Sequence, residues 1–282
     1  MKKGATAVIV FALGFVTRAA VADDLPVPYA SRPLTLPARM ISPQLSGSLL
    51  HEEGLGLLGG TNIVGLNLGA SYGVIDDLTV YATPLTMSVV TSTRTDPIPY
   101  YGTLRVGGIY RFVHTEDVDV GVQLELGGAG KFFFFHATAA VPVLFRIGHV
   151  VRIDTGVAFT MLFPTTRSRR VDGALASAGE GFDYPTSVAG FPIGVAIQPI
   201  DPIFFGVRTG LGIASLRGNV ANTIYVPLGV FFGGTICSNT NHPIADITAR
   251  FDFPFFLYGG AYDLPVTQAW TTGLDARLYF QL

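Results

Sequence analysis

Apolar and non-apolar residues alternate strictly along several stretches of this chain. Between positions 62 and 73, Val64, Leu66, Leu68, Ala70 and Tyr72 fall on one side, and Gly65, Asn67, Gly69, Ser71 and Gly73 on the other. Between 118 and 127, Val118, Val120, Val122, Leu124 and Leu126 oppose Asp119, Gly121, Gln123, Glu125 and Gly127. The same holds at 151–162, where Val151, Ile153, Val157, Phe159 and Met161 oppose Arg152, Asp154, Gly156, Ala158 and Thr160. At 205–214, Val207, Leu211 and Ile213 oppose Arg208, Gly210 and Gly212. A period of two puts successive side chains on opposite faces of a strand, and nowhere after residue 38 does a period of 3.6 take over. Twelve strands follow, at 40–50, 61–73, 78–90, 100–112, 118–128, 132–146, 150–162, 187–198, 203–215, 223–235, 246–256 and 268–282. Ten or fourteen are the alternatives, because the first, third and eighth are the least regularly patterned.

The connections differ in kind. Residues 74–77, 113–117, 147–149 and 199–202 read as tight turns, and 239–244 is slightly longer. Between them fall longer links at 50–60, 91–99, 163–186, 216–222 and 258–266, with 127–131 a short exception. Short turns on one side and long loops on the other are the pattern of a transmembrane β-barrel, whose short turns face the periplasm.

Composition sharpens this reading. Charged residues make up 13% of the chain, about half the share in ordinary globular proteins. Mean hydropathy is positive, +0.46, yet no apolar run after residue 22 approaches the roughly 20 residues of a membrane-spanning helix. High apolar content without long apolar runs fits strands whose lipid-facing and lumen-facing residues alternate. A secreted β-sandwich would also alternate, but its outer face meets water and should carry Lys, Glu and Thr. Here the second face is Gly, Ala and sparse charge, and Lys131 is the only lysine after residue 22. The fold class expected is all-β, an antiparallel up-and-down transmembrane barrel.

Three segments result. Lys2 and Lys3 precede an apolar run from Gly4 to Val16, and Ala20-Val21-Ala22 reads as a small-x-small cleavage site, so 1–22 is expected to be a signal peptide. Residues 23–38 carry Pro26, Pro28, Pro33 and Pro37 and little periodicity, which predicts an extended periplasmic lead-in. Residues 39–282 would form the barrel. A formal net charge of −2 implies no attraction to nucleic acid, and the lone Cys237 excludes an intramolecular disulfide. No cofactor or metal motif is present.

In the last strand Leu274, Ala276, Leu278, Phe280 and Leu282 share one face, opposite Asp275, Arg277, Tyr279 and Gln281. This resembles the C-terminal signature of Gram-negative outer-membrane proteins, in which alternate positions counted back from the end are apolar. The departure is Leu282 at the last position, with the aromatic displaced to Phe280. Arg32-Pro33-Leu34-Thr35-Leu36-Pro37 also looks like the lead-in of some uncharacterised proteobacterial outer-membrane barrels. The resemblance implies export to the outer membrane, recognition of Leu278, Phe280 and Leu282 by the barrel-assembly machinery, and contact with outer-membrane lipid and lipopolysaccharide.

Candidate functional residues come from strand parity. The face opposite the apolar one carries Arg105, Arg111, Asp119, Glu125, His136, Arg152, Asp154, Arg208, Arg250 and Asp252, which would line a lumen. A turn centred on Thr115 would set Arg111 against Asp119 and Arg105 against Glu125, and such cross-strand pairs fix register. Facing basic and acidic rows also act as a transverse field in porin-like channels. In the longest loop, Arg167, Arg169 and Arg170 read as a gate folded inward, an anion patch for lipopolysaccharide phosphates, or a solvated loop. Catalysis would need a nucleophile, a histidine and an orienting residue together. Of five histidines only His136 sits in a predicted strand, so no enzyme is expected. The leading functional expectation is a porin-like channel for small solutes, because Gly65, Gly69, Gly73, Gly121, Gly127, Gly156, Gly210 and Gly212 on the inner face favour open space. The alternatives are a structural or adhesive barrel with a closed lumen, and a barrel hydrolase.

Overall fold

The computed structural model describes residues 25–52, 61–92, 98–101, 104–128, 134–164, 185–216, 223–238, 242–259 and 269–282. Its strands are β1 (Met40–Glu52), β2 (Thr61–Ile75), β3 (Leu78–Ser92) and β4, in two pieces (Ile98–Tyr101 and Leu104–His114). They continue as β5 (Val118–Gly128), β6 (Phe134–Ile147), β7 (Val151–Pro164) and β8 (Pro185–Ile200). The last four are β9 (Ile203–Leu216), β10 (Thr223–Cys237), β11 (Pro243–Gly259) and β12, again in two pieces (Ala269–Leu278 and Phe280–Gln281). Each strand pairs antiparallel with the next, and β1 returns to β12 through Gln44–Glu52 against Ala269–Arg277. The sheet therefore closes on itself as a barrel of twelve strands. Closure leaves no unpaired sheet edge, which is the condition for strands to cross a bilayer.

The two faces of the wall are inverted relative to a soluble protein. Outward positions on strand after strand are large, apolar and exposed, among them Val64, Leu66, Leu124, Leu126, Val157 and Leu274. Leu124 is 63% exposed and Leu126 is 61%, whereas Asp119 on the opposite face of the same strand is 0% exposed. Water-soluble monomers rarely expose apolar patches beyond a few hundred Å². An apolar belt reaching around the barrel is instead what hydrocarbon solvates.

The buried residues gather at one end, the end of the short turns, because residues 25–38 pack across the mouth of the barrel there. Leu25 and Leu36 form an apolar cluster with Met40 of β1 and Tyr279 of β12. Tyr29 stacks on Phe204 of β9 with ring centroids 4.2 Å apart. The prolines keep this stretch extended and remove backbone donors, apart from one short 3-10 turn at Tyr29–Ser31. The chain leaves the mouth at Arg39, whose φ of +63° swings it into β1. That conformation is uncommon for a residue with a side chain and is held from both sides. The Arg39 N–H donates to Gly73 O at 2.7 Å, and its carbonyl accepts from the Leu282 N–H at 3.0 Å. A side chain at Gly73 would run into the Pro37 backbone, so glycine is what lets the segment lie against β2.

One register differs from expectation. Arg111 lies opposite Gly121 and Arg105 opposite Gly127, two residues away from the pairing with Asp119 and Glu125. The turn between β4 and β5 is centred beyond Thr115, because the Thr115 N–H donates to Val118 O at 2.9 Å. That closure alone shifts the register by three residues, and a bulge between Arg111 and Val113 takes one back.

Candidate functional site

The lumen wall near the plugged mouth is a set of ion pairs organised around the lead-in. Arg32 sits at their centre and is 4% exposed. Its guanidinium pairs with Asp246 of β11 and donates to Tyr279 Oη at 2.9 Å and to Thr235 Oγ1 of β10 at 3.1 Å. It also donates to the backbone carbonyls of Pro26 and Val27. Asp246 in turn accepts from Tyr279 Oη at 2.5 Å and from Thr235 Oγ1 at 2.8 Å. A buried ion pair is tolerated only where its remaining polar atoms are also satisfied, and here they are.

The rest of the segment is tied down around the circumference. Ala30 N–H donates to Gln198 of β8, Leu34 N–H to Asp119 of β5 at 2.9 Å, and Leu36 N–H to Thr79 of β3 at 2.7 Å. Thr35 donates to Asp76 O in the turn between β2 and β3, and Arg152 of β7 donates to Arg32 O. These anchors lie on strands spread around the barrel, so the segment spans the mouth like a crossbar.

The charged residues of the face opposite the apolar one meet in arrangements that parity alone does not give. Asp119 is the centre of one group, bound bidentately by Arg146 at 2.9 Å and approached diagonally by Arg111 at 3.6 Å, with His114 at 2.8 Å. Arg111 reaches Asp77 more closely, at 2.8 Å. Glu125 does not pair with Arg105. It accepts from Tyr81 Oη at 3.0 Å and lies 3.2 Å from His136 Nε2. Arg152 and Asp154 pair two residues apart along β7, at 2.8 Å through both carboxylate oxygens. Arg250 lies 3.4 Å from Asp275. Arg208 of β9 reaches over β10 to Asp252 of β11 at 2.7 Å.

The inner-face glycines correct the expectation of open space. A Cβ at Gly121 would meet Leu34 of the lead-in, one at Gly127 would meet His136 and Arg105, and one at Gly212 would meet the Tyr225 ring. Those glycines make room for large side chains and for the crossbar. Space does remain beside the crossbar: two cavities, of about 310 and 360 Å³, share Tyr29, Gln44 and Arg277, and a third, of about 430 Å³, lies against Pro26, Ser31 and Pro33.

Arg32, Asp246, Thr235, Gln198 and Tyr29 escape the sequence reading. Their signal is slight: an arginine between Ser31 and Pro33, and polar side chains near strand ends. The loop arginines Arg167, Arg169 and Arg170, and the signal segment, lie outside the described residues. Among the described residues no cluster of His, Cys, Asp and Glu could hold a metal ion. Leu278, Phe280 and Leu282 point outward and are exposed, with Tyr279 buried between them.

No protein-family model matches this chain, and no curated protein matches it in sequence. Solved structures do match in fold. An outer-membrane channel from Pseudomonas putida F1 superposes with a TM-score of 0.63 at 10% identity, over 87% of this chain and 97% of that one. The translocator domain of the autotransporter NalP from Neisseria meningitidis gives 0.53 at 10% identity, over 86% and 88%. The NanC porin gives 0.52 at 9% identity, over 85% and 100%. At such identities the likeness is one of fold, and the fold is that of Gram-negative outer-membrane β-barrels.

Proposed function

We propose that this chain is an outer-membrane channel for small polar solutes, closed at its periplasmic mouth by its own residues 25–38. The observation that carries the reading is the polar, charged lumen with cavities directly beside a crossbar whose most highly connected anchor is the Arg32 cluster. An apolar exterior needs a bilayer, and a charged interior of this kind serves a hydrated path. The channel and porin named in the matching structures support the same class. Lipid and lipopolysaccharide would surround the barrel. The outward row of Leu278, Phe280 and Leu282 suits recognition by the assembly machinery.

The crossbar itself favours a second reading, a structural or adhesive barrel whose lumen stays shut. Catalysis is not part of either reading: Ser31 Oγ meets His149 Nδ1 at 2.8 Å, but among the described residues no carboxylate orients that histidine, and His136 and His114 meet carboxylates instead. Proteoliposome swelling separates the two. A channel admits small polar solutes slowly in the native protein and faster once residues 25–38 are removed, at rates that fall with solute size. A closed barrel gives no swelling, with or without the crossbar.

A further inference from the structure

Charge in the lumen is not evenly matched. The wall's carboxylates, Asp119, Glu125, Asp154, Asp246, Asp252 and Asp275, each have a basic or hydroxyl partner within 3.4 Å. Two guanidiniums are left over. Among the described residues, Arg105 and Arg277 make no ion pair or hydrogen bond, and the Arg105 Nε is buried without a partner. Both line the cavity of about 360 Å³ beside the crossbar. Arg32 and Arg152 line it too, and Glu125 is its single carboxylate. The partners of Arg32 and Arg152, which are Asp246 and Asp154, do not reach its surface.

We propose that this cavity is an anion site, and that it takes small organic carboxylates. A guanidinium presents paired N–H donors that match a planar carboxylate in bidentate fashion, and an unpaired buried donor is costly until something accepts from it. Low-dielectric walls concentrate the surplus positive field inside the cavity and raise the local concentration of anions. Its volume lies at the small end of the range for small-molecule sites, which suits a few carbon atoms and a charged group. The proposal rests on the channel reading for its transport role, but binding can be measured without it.

The test is a calorimetric titration of the mature protein, folded in detergent, with succinate. Saturable binding at one site is expected, weakened at least tenfold in R105Q/R277Q. The single variant R277Q removes an exposed, unpartnered side chain and so leaves the fold intact. It should weaken binding several-fold by itself. Absence of binding in the native protein, or equal binding in the native and variant proteins, overturns the proposal whether or not the barrel conducts. Binding without any ionic conductance leaves the site standing and removes the channel reading instead.

Discussion

Arg208 and Asp252 meet at 2.7 Å although a whole strand lies between them. The intervening residue is Gly229, the cross-strand partner of both. A Cβ at that position would overlap the Asp252 carboxylate. Gly229→Ala should therefore destabilise the folded barrel by about 1–3 kcal/mol, the usual cost of forcing an atom into occupied space. Gly190→Ala is the control, since nothing lies within 4 Å of a Cβ there. Urea unfolding in detergent, followed by tryptophan emission, measures both. Equal effects would show that Gly229 is not a spacer for the ion pair.

The orientation of the wall makes a second prediction. Leu124 is 63% exposed on the outer face, while Gln123 points inward and donates to Tyr81 Oη at 2.7 Å. Leu124→Arg places a charge in hydrocarbon and should cost about 2–4 kcal/mol. Gln123→Arg loses one neutral hydrogen bond, worth about 1 kcal/mol. If folding yields in lipid vesicles were the same for both, the assignment of the two faces would be wrong.

The Arg32 cluster makes a third. Arg32→Met leaves the Asp246 carboxylate buried without its cation, a change that costs about 3–5 kcal/mol in comparable settings. Asp246→Asn in the same chain removes the stranded charge, so the double variant should recover part of the loss. Unfolding midpoints of the native, single and double variants decide this. A double variant no more stable than Arg32→Met would mean that the two groups are not coupled.

Strands and faces were legible in the sequence because each rests on a local rule. Period-two alternation places Val122 and Leu124 outside and Gln123 and Glu125 inside without reference to any distant residue. Register at the turn between β4 and β5 was not legible. It depends on where Thr115 closes the turn and on a one-residue bulge after Arg111, and neither leaves a mark in hydrophobic pattern. The crossbar was legible only as a proline-rich extended stretch. Its site is fixed by contacts 203 to 247 residues away in sequence, from Arg32 to Thr235 and Tyr279, and such pairings have no local signature. Inner-face glycines were ambiguous for a related reason. A missing side chain marks a gap, and only the fold reveals whether a neighbour such as Tyr225 or Leu34 fills it.

The central claim is that a conducting lumen is held shut by the crossbar through Arg32 and Asp246. Single-channel recording in planar bilayers, comparing the native protein with R32M/D246N, tests it most directly. Neither substitution touches an outward-facing residue, so the barrel remains inserted. The account predicts small or infrequent current steps from the native protein and larger, longer-lived ones from the double variant. Current-free bilayers from both proteins, each shown by protease protection to be inserted, would contradict it and leave the closed structural barrel as the reading.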